Sequence, residues 1–394
     1  MSNFLSTYHE ADGDPILALM DLLRKDPRED CIDLGVGVYR DDKGDTPIMQ
    51  AVKAAEEGIL RDEKTKTYLG IRGNIGFLDL LSTKIFSHDL NLSSLQTPGG
   101  SGALRALADF LAIDGKKIIW LPNPTWGNHR AIFQACGHSF ATYAYYNAKT
   151  ASLDFSAMLA DLETAQKGDV VLLHGVCHNP TGVDLDAEQW QQVADLLLRK
   201  ELIPFIDLAY LGLGSNLQQD LDGLRIITHT LPAGLVAISA SKNFALYRER
   251  TGAAFVFSHE GATQKAVQSQ LSRVARVSYS MPPDHGAEIV RRILVDKNLY
   301  QNWHQELALM CGRINSLRKS LADELAVFFE PDRFAYIEKG KGMFSLLPLD
   351  EQAVNRLREE FAIYVVPGGR INIAGLKIQE CQRFASAVAK VLSA

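Results

Sequence analysis

The sequence has few of the features that mark a secreted, zinc-binding or membrane protein. Its five cysteines are an odd number, lie far apart and include no Cys-x-x-Cys pair, so we expect reduced thiols rather than a disulfide framework. No apolar run is long enough for a transmembrane helix, and residues 1–10 lack the basic and apolar segments of a signal peptide. These absences predict a cytoplasmic protein that does not bind a membrane.

Positive charge is also scarce. The 394 residues include 41 Lys and Arg against 47 Asp and Glu, a formal net charge of −6, which argues against a nucleic-acid-binding surface. No internal repeat, low-complexity tract or long Pro/Gly/Ser linker interrupts the sequence. Because the length exceeds one ordinary core, we expect two domains, or one large domain with a smaller one appended.

A lysine at the end of a predicted strand is the most informative feature that is present. Residues 234–238 form an apolar run typical of a buried strand, and Lys242 follows shortly after Ser239. Ligands of open α/β sheets bind beyond the carboxyl ends of the strands. There an amine can form an imine with an aldehyde, while Ser239 and Arg250 can hold a phosphate. A solvated surface lysine is the commoner explanation of Lys242 taken alone.

A second phosphate-compatible stretch lies upstream. Residues 96–102 contain three glycines and Ser101 and lead into a helical pattern over residues 103–111. Free backbone N–H groups and the positive end of the dipole make a helix N-terminus an anion site, so Gly100 and Ser101 are candidates. A flexible helix entry would have the same composition. The Gly-x-Gly in the extended run over residues 32–39 lacks the third glycine and the helix of a dinucleotide-binding motif.

Strand and helix patterns alternate between residues 117 and 260, which predicts a mostly parallel sheet with helices on both faces. Polar residues follow several of these strands. Asp207 could face the ring nitrogen of a pyridine cofactor, Asn179 and Tyr210 its phenolic oxygen, and Trp126 could cover the ring. Each of these residues also has a common structural explanation, in a turn, a cap or the core.

Forked guanidinium groups suit the carboxylates of a substrate. Arg370 opens a predicted strand near the C-terminus, and Arg276 precedes a Pro-Pro turn; both could instead be surface charges. His174 and His178 are four residues apart, but they lie on a strand end and a turn rather than on one helix face. We therefore expect no metal site.

Taken together, these motifs resemble the aspartate/aromatic branch of the class I aminotransferases, which are pyridoxal-phosphate enzymes of fold type I. The matching segments are residues 34–39, 68–70, 97–104, 123–129, 178–182, 207–210, 239–243, 249–250, 276, 279–283, 342–345 and 369–375. The resemblance implies an α/β fold: a large domain with a mostly parallel seven-stranded sheet flanked by helices, and a smaller α+β domain. We place the N-terminal arm at 1–12, the small domain at 13–45 and 310–394, and the large pyridoxal-phosphate domain at 46–309.

The resemblance also implies roles for individual residues. Lys242 would be the Schiff-base lysine and proton shuttle, with Asp207 and Tyr210 as further catalytic residues. The implied cofactor contacts are Gly100, Ser101, Trp126, Asn179, Asp207, Tyr210, Ser239, Lys242, Arg250 and, from a partner subunit, Tyr68. The implied substrate contacts are Gly37, Trp126, Asn179, Arg370 and, from across a homodimer with shared active sites, Arg276.

The activity implied by the resemblance is transamination between an amino acid and a 2-oxo acid. Aspartate with 2-oxoglutarate is the preferred pair, because Arg276 would supply a second forked cation for the side-chain carboxylate. Aromatic amino acids are the close alternative. A pyridoxal-phosphate lyase or decarboxylase, and a non-catalytic binding protein that keeps the fold, are the alternatives from other classes.

Overall fold

The computed structural model describes residues 4–10, 13 and 15–392. The arm predicted over residues 1–12 falls partly outside the described residues, which begin at Phe4 with a short 3-10 helix, Phe4–Thr7. Within the described chain, no helix is both long enough and apolar enough to span a lipid bilayer.

The strands of the described chain are β1 (Ile32–Asp33), β2 (Asn91–Pro98), β3 (Ile118–Asn123), β4 (Ser139–Ala144), β5 (Tyr146–Asn147), β6 (Ser152–Leu153), β7 (Val170–His174), β8 (Ile203–Leu208), β9 (Ala233–Ser239), β10 (Thr251–Ser258), β11 (Phe344–Leu346), β12 (Ile363–Tyr364) and β13 (Arg370–Asn372). The α-helices are α1 (Pro15–Lys25), α2 (Gln50–Asp62), α3 (Ile75–Ile85), α4 (Gly99–Leu111), α5 (Asn128–Ala135), α6 (Phe155–Leu162), α7 (Ala187–Arg199), α8 (Asp222–Thr230), α9 (Gln264–Ser278), α10 (His285–Val295), α11 (Lys297–Ala326), α12 (Tyr336–Lys339), α13 (Glu351–Phe361) and α14 (Cys381–Leu392). Further 3-10 helices span Ala112–Asp114, Gln219–Leu221, Ile373–Gly375 and Ile378–Glu380.

Seven strands form the central sheet, in the order β2-β10-β9-β8-β7-β3-β4. The pairs from β9 to β4 are all parallel, and β10 is antiparallel to both of its neighbours. The loop over residues 240–250 that joins β9 to β10 is too short for the helical crossover that a parallel connection needs. The prediction of an α/β fold with a mostly parallel seven-stranded sheet is confirmed.

Helices cover both faces of this sheet, and β7 shows how the sequence accommodates them. Val170 and Leu172 belong to the apolar cluster formed with α4, α5 and α9, whereas Val171 and Leu173 belong to the cluster formed with α7 and α8. Successive strand residues point to opposite faces, so a strand buried on both sides must be apolar throughout. In β7 the polar side chain is therefore confined to the strand end, at His174, where a site can form.

A second apolar core lies among β1, β12, β13, α13, α14 and the C-terminal half of α11. Within it, β1 pairs in parallel with β12, and β11 pairs antiparallel with β13. Helix α11 contributes Leu307 and Ile314 to the large core and Leu317 and Leu325 to this second core. The proposed boundary at residue 310 falls on this shared helix, and the division into domains stays a prediction.

Candidate active site

A cavity of about 210 Å³ lies at the carboxyl ends of β7, β8 and β9. Most of the residues singled out in the sequence line it, namely Gly37, Gly100, Ser101, Trp126, Asn179, Asp207, Tyr210, Ser239, Lys242, Arg250 and Arg370. The parallel strands bring their ends to one edge of the sheet, so residues far apart in sequence meet there.

Lys242 lies in the loop between β9 and β10 and projects into this cavity. Its Nζ lies 5.1 Å from the centre of the Tyr210 ring. Burial lowers the pKa of Lys242 to about 8, although the Asp207 carboxylate opposes that shift. An appreciable fraction of the amine is therefore unprotonated near neutral pH, which is the form that attacks a carbonyl carbon.

A directed chain of hydrogen bonds reaches Asp207 at the end of β8. The backbone N–H of Asn179 donates to His174 Nδ1 (3.3 Å), so the proton of this neutral ring lies on Nε2, 3.1 Å from Thr125 Oγ1. Thr125 Oγ1 also lies 2.8 Å from His129 Nδ1, and His129 Nε2 donates to Asp207 Oδ2 (3.1 Å). The chain therefore links the Asn179 backbone to the Asp207 carboxylate.

His129 orients Asp207 through this hydrogen bond. Burial by itself would raise the pKa of Asp207, but the hydrogen bond from His129 and the nearby cations hold that pKa below its usual value. Burial lowers the pKa of His174 to about 3, consistent with the neutral ring in the chain. A buried carboxylate whose remaining oxygen lone pairs face the cavity is suited to a cationic N–H donor.

Two polar groups and an indole lie beside this carboxylate. Asn179 Nδ2 donates to Tyr210 Oη at 3.2 Å, and burial holds the pKa of Tyr210 above its usual value. The Trp126 ring meets the His129 ring edge-on, with centroids 5.2 Å apart. The neutral Tyr210 hydroxyl and the Asn179 amide are donors for a ligand oxygen, and Trp126 offers a flat surface for a ring.

The other end of the cavity is an anion cradle at the start of α4. No side chain caps this helix, so its first N–H groups are left for a ligand. Gly99 has φ = 75°, and a Cβ there would lie 2.4 Å from Arg250 Nη2; a Cβ on Gly100 would lie 2.9 Å from Ser239 Cβ. Glycine thus lets Arg250 and Ser239 close on the helix end, and this donor set fits a phosphate group.

The segment over residues 35–39 forms the opposite wall. Arg370 Nη2 donates to the Gly35 carbonyl at 2.5 Å, and the Arg370 guanidinium lies 4.5 Å from the Phe344 ring centre. Asn372 Nδ2 donates to the carbonyls of Val36 and Val38, both at 2.7 Å. The extended run predicted over residues 32–39 is therefore a strand only at Ile32–Asp33, because side chains of β13 take the carbonyls that a neighbouring strand would use.

Two of the predicted site residues do not line this cavity. Tyr68 is 91 % exposed, in an extended stretch with no regular secondary structure. Arg276 lies at the C-terminal end of α9, where its Nη1 donates to Ser280 Oγ at 2.6 Å.

Sequence reasoning also missed four residues: Thr125, His129, Tyr247 and Phe344. The position of His129, three residues after the candidate Trp126, was the feature of the sequence that could have marked it as a site residue. His174 and His178, considered above as metal ligands, have ring centroids 4.2 Å apart. Among residues 4–10, 13 and 15–392, no three His, Cys, Asp or Glu side chains are grouped as a metal site.

Comparisons with known proteins place these features in context. The family described as "Aminotransferase class I and II" matches residues 29–388. A tyrosine aminotransferase of Rhizobium meliloti (strain 1021) is 47% identical over 375 residues, 94% of this chain and 96% of the relative. An aspartate aminotransferase of Escherichia coli (strain K12) is 42% identical over 389 residues, 97% of this chain and 98% of the relative. The crystal structure of an aromatic-amino-acid aminotransferase from Burkholderia pseudomallei, covalently bound to pyridoxal phosphate, matches with a TM-score of 0.96 at 37% identity, over 99% of this chain and 100% of that one.

Proposed function

Since this chain belongs to the class I and II aminotransferases, we propose that it moves an amino group between aspartate and 2-oxoglutarate at the Lys242 cavity. It is a pyridoxal-phosphate-dependent enzyme whose substrates are amino acids and 2-oxo acids. The observation that carries the proposal is the Lys242 amine, whose pKa of about 8 suits attack on a carbonyl. It stands between a buried carboxylate and a phosphate cradle.

Pyridoxal phosphate, when bound, supplies an aldehyde that accepts the amino group and a pyridinium ring that withdraws electrons from the substrate Cα. In our proposal Lys242 would hold that aldehyde between turnovers. Once released, its amine would take the proton from the substrate Cα and give it back later in the same turnover. Its lowered pKa suits a group that must both accept and return a proton near neutral pH.

Other residues hold the cofactor's ends in this proposal. Asp207 keeps the ring nitrogen protonated, which its retained negative charge favours. Asn179 and Tyr210 donate to the ring oxygen, and Trp126 stacks on the ring. The phosphate contacts are Gly100, Ser101, Ser239 and Arg250.

The α-carboxylate of the substrate is assigned to Arg370 and the backbone of Gly37. The Arg370 guanidinium is buried beside Phe344 and already donates to Gly35, so its orientation is set before a substrate arrives. Preorganised forked donors bind a carboxylate at little entropic cost. Asn179 and Trp126 line the same part of the cavity and complete the substrate contacts.

A homodimer completes the proposed site. Tyr68 and Arg276 do not line the cavity of their own chain. Tyr68 is itself 91% exposed, and the apolar residues Leu60 and Val277, which lie near Tyr68 and Arg276 in sequence, are 86% and 79% exposed. Such exposure is typical of a surface that a partner covers. We assign Tyr68 to the phosphate and Arg276 to the side-chain carboxylate of the partner's site.

The five cysteines are free, which supports the reducing cytoplasm as the location of the protein.

The steady-state parameter kcat/KM, measured for aspartate, tyrosine and phenylalanine with 2-oxoglutarate on one preparation, tests this function. We expect turnover of all three, with aspartate favoured by about ten- to a hundredfold, the effect of one charged hydrogen bond. No oxo-acid-dependent turnover of any of them would contradict the proposal.

Aromatic amino acids are the second candidate substrate class. The opening of the cavity continues into a cleft lined by apolar residues including Ile16, Leu17, Leu346, Val366 and Pro367, which could hold a ring. The name of the Rhizobium meliloti relative favours the same substrate class. If phenylalanine or tyrosine exceeds aspartate in the assay above, this candidate replaces the first. Product formation without any oxo-acid acceptor would instead indicate a lyase or decarboxylase.

Arg276→Leu is expected to lower kcat/KM for aspartate by about ten- to a hundredfold, because the side-chain carboxylate loses a charged hydrogen bond. Phenylalanine has no such carboxylate, so its kcat/KM should change by about threefold at most. Parallel assays of the two amino acids measure the ratio. An unchanged ratio would remove Arg276 from the substrate site.

Mixed dimers show which site Arg276 serves. A dimer of one Arg276→Leu chain and one Lys242→Ala chain contains one intact site if Arg276 reaches across the interface, and none if it serves its own chain. We therefore expect aspartate turnover to rise above that of either variant alone when the two variants are unfolded together and refolded. Failure to regain activity, when mixed wild-type chains do regain it, would contradict the shared site.

A further inference from the structure

Tyr247 contacts both ends of the cavity at once. Its backbone carbonyl accepts a hydrogen bond from Arg250 Nη1 at 3.1 Å, at the phosphate cradle. Its hydroxyl accepts one from the backbone N–H of Tyr39 at 3.0 Å, two residues beyond Gly37. The side chain lines the cavity together with Gly37 and Arg250.

The loop that carries Tyr247 is firmly anchored. Phe244 stacks on Trp303 with centroids 4.4 Å apart and planes 7° from parallel. Trp303 Nε1 also donates to the Asn243 carbonyl at 2.8 Å. Tyr247 lies three residues after Phe244 in this anchored loop, which also carries Lys242.

The segment over residues 35–39 is held from two sides. Asn372 and Arg370 bind its carbonyls from β13. Among the hydrogen bonds of the described residues, the Tyr39 N–H bond to Tyr247 Oη is the one that ties this segment to the loop over residues 240–250. Without that bond, the segment keeps its links to β13 and loses its link to the loop that carries Lys242.

We propose that Tyr247 is a positioning residue, which sets the backbone of Gly37 for the substrate α-carboxylate by holding the N–H of Tyr39. The inference rests on the proposed function, since it concerns where that carboxylate binds. Burial raises the pKa of Tyr247 to about 12, so the hydroxyl stays neutral over the working pH range. The contact concerns the carboxylate common to all substrates, so its effect should not depend on their side chains.

Tyr247→Phe removes this hydroxyl and leaves the ring and the backbone carbonyl in place. We expect KM to rise by about three- to tenfold for aspartate, phenylalanine and 2-oxoglutarate alike, the effect of losing one neutral hydrogen bond. The Arg250 contact is retained, so kcat and the dissociation constant of pyridoxal phosphate should change by about twofold at most. The dissociation constant of succinate, a carboxylate that does not react, should rise by the same factor as KM.

Tyr39→Phe is the matched control, because it removes a nearby hydroxyl but keeps the backbone N–H. We expect its KM values to match those of the wild type within about twofold. Unchanged KM in Tyr247→Phe, an equal rise in Tyr39→Phe, or weaker binding of pyridoxal phosphate would each overturn the inference. If the wild-type protein turned over no amino acid, the proposed function would fail, and succinate binding would still decide the role of Tyr247.

Discussion

Lys242→Ala is expected to lower kcat for aspartate transamination by about 10⁴-fold or more, the upper range for the loss of a positioned acid–base group. The same amine is proposed to hold the cofactor and to carry the proton between Cα and C4′. The other groups of the cavity do not replace it: the Tyr210 hydroxyl is held neutral, its pKa raised by burial, and Asp207 is engaged by His129. Steady-state kinetics and the absorbance spectrum of the reconstituted protein measure the two roles separately.

The control for this variant is Lys149→Ala, which removes another lysine side chain, one that is exposed and lies outside the cavity. Its kcat and spectrum should match those of the wild type. The absorbance change on covalent attachment of pyridoxal phosphate should be absent only in Lys242→Ala. If Lys242→Ala kept that change, or kept turnover, another lysine would hold the cofactor.

Asp207→Asn is expected to lower kcat/KM by about 10²- to 10⁴-fold, the kinetic equivalent of about 3–5 kcal/mol for breaking a buried ionic contact. Asparagine has nearly the same shape and can still accept from His129 Nε2, so the hydrogen-bond chain through Thr125 is preserved. What it lacks is the charge that keeps a ring nitrogen protonated. Steady-state kinetics with aspartate measure the loss.

A second readout separates this electrostatic role from a folding defect. The Asp207 charge raises the pKa of Lys242 against the effect of burial, so its removal should move that pKa below about 8. The pH dependence of cofactor attachment to Lys242 reports the shift. The control is Asp220→Asn. Asp220 is a buried carboxylate that accepts hydrogen bonds from the backbone N–H groups of Gly212, Gly214 and Ser215, so its replacement should reduce stability without shifting the pKa of Lys242. A wild-type pH profile in Asp207→Asn would contradict the role of its charge.

The local sequence predicted the central sheet and most of the polar residues at the carboxyl ends of its strands. Burial on both faces makes a strand apolar throughout, and this pattern is easy to recognise. Apolar strands such as β7 and β8 tolerate polar residues only where they end, so Asp207 and Asn179 stood out. A parallel arrangement then placed those ends together. The antiparallel direction of β10 was not predicted, and the short connection after β9 was the signal that could have shown it.

The missed features depend on contacts between distant parts of the chain. Thr125, His129 and His174 have ordinary local surroundings, and their hydrogen-bond order emerges only when β3, α5 and β7 are packed side by side. The extended run over residues 32–39 is a strand only at its start for the same reason, since Asn372 and Arg370, more than 300 positions away, bind its carbonyls.

The sequence by itself determined the α/β class and placed the candidate lysine, acid and phosphate-binding residues at the carboxyl edge of the sheet. These follow from burial and from the chemistry of single side chains, both of which leave a trace in local patterns. Only the tertiary structure decided the hydrogen-bond chain through His129, the shape of the Gly37 segment and the link between Tyr39 and Tyr247. Each depends on a distance between residues far apart in the chain, and hydrogen bonds form only when folding brings donor and acceptor within about 3 Å of each other.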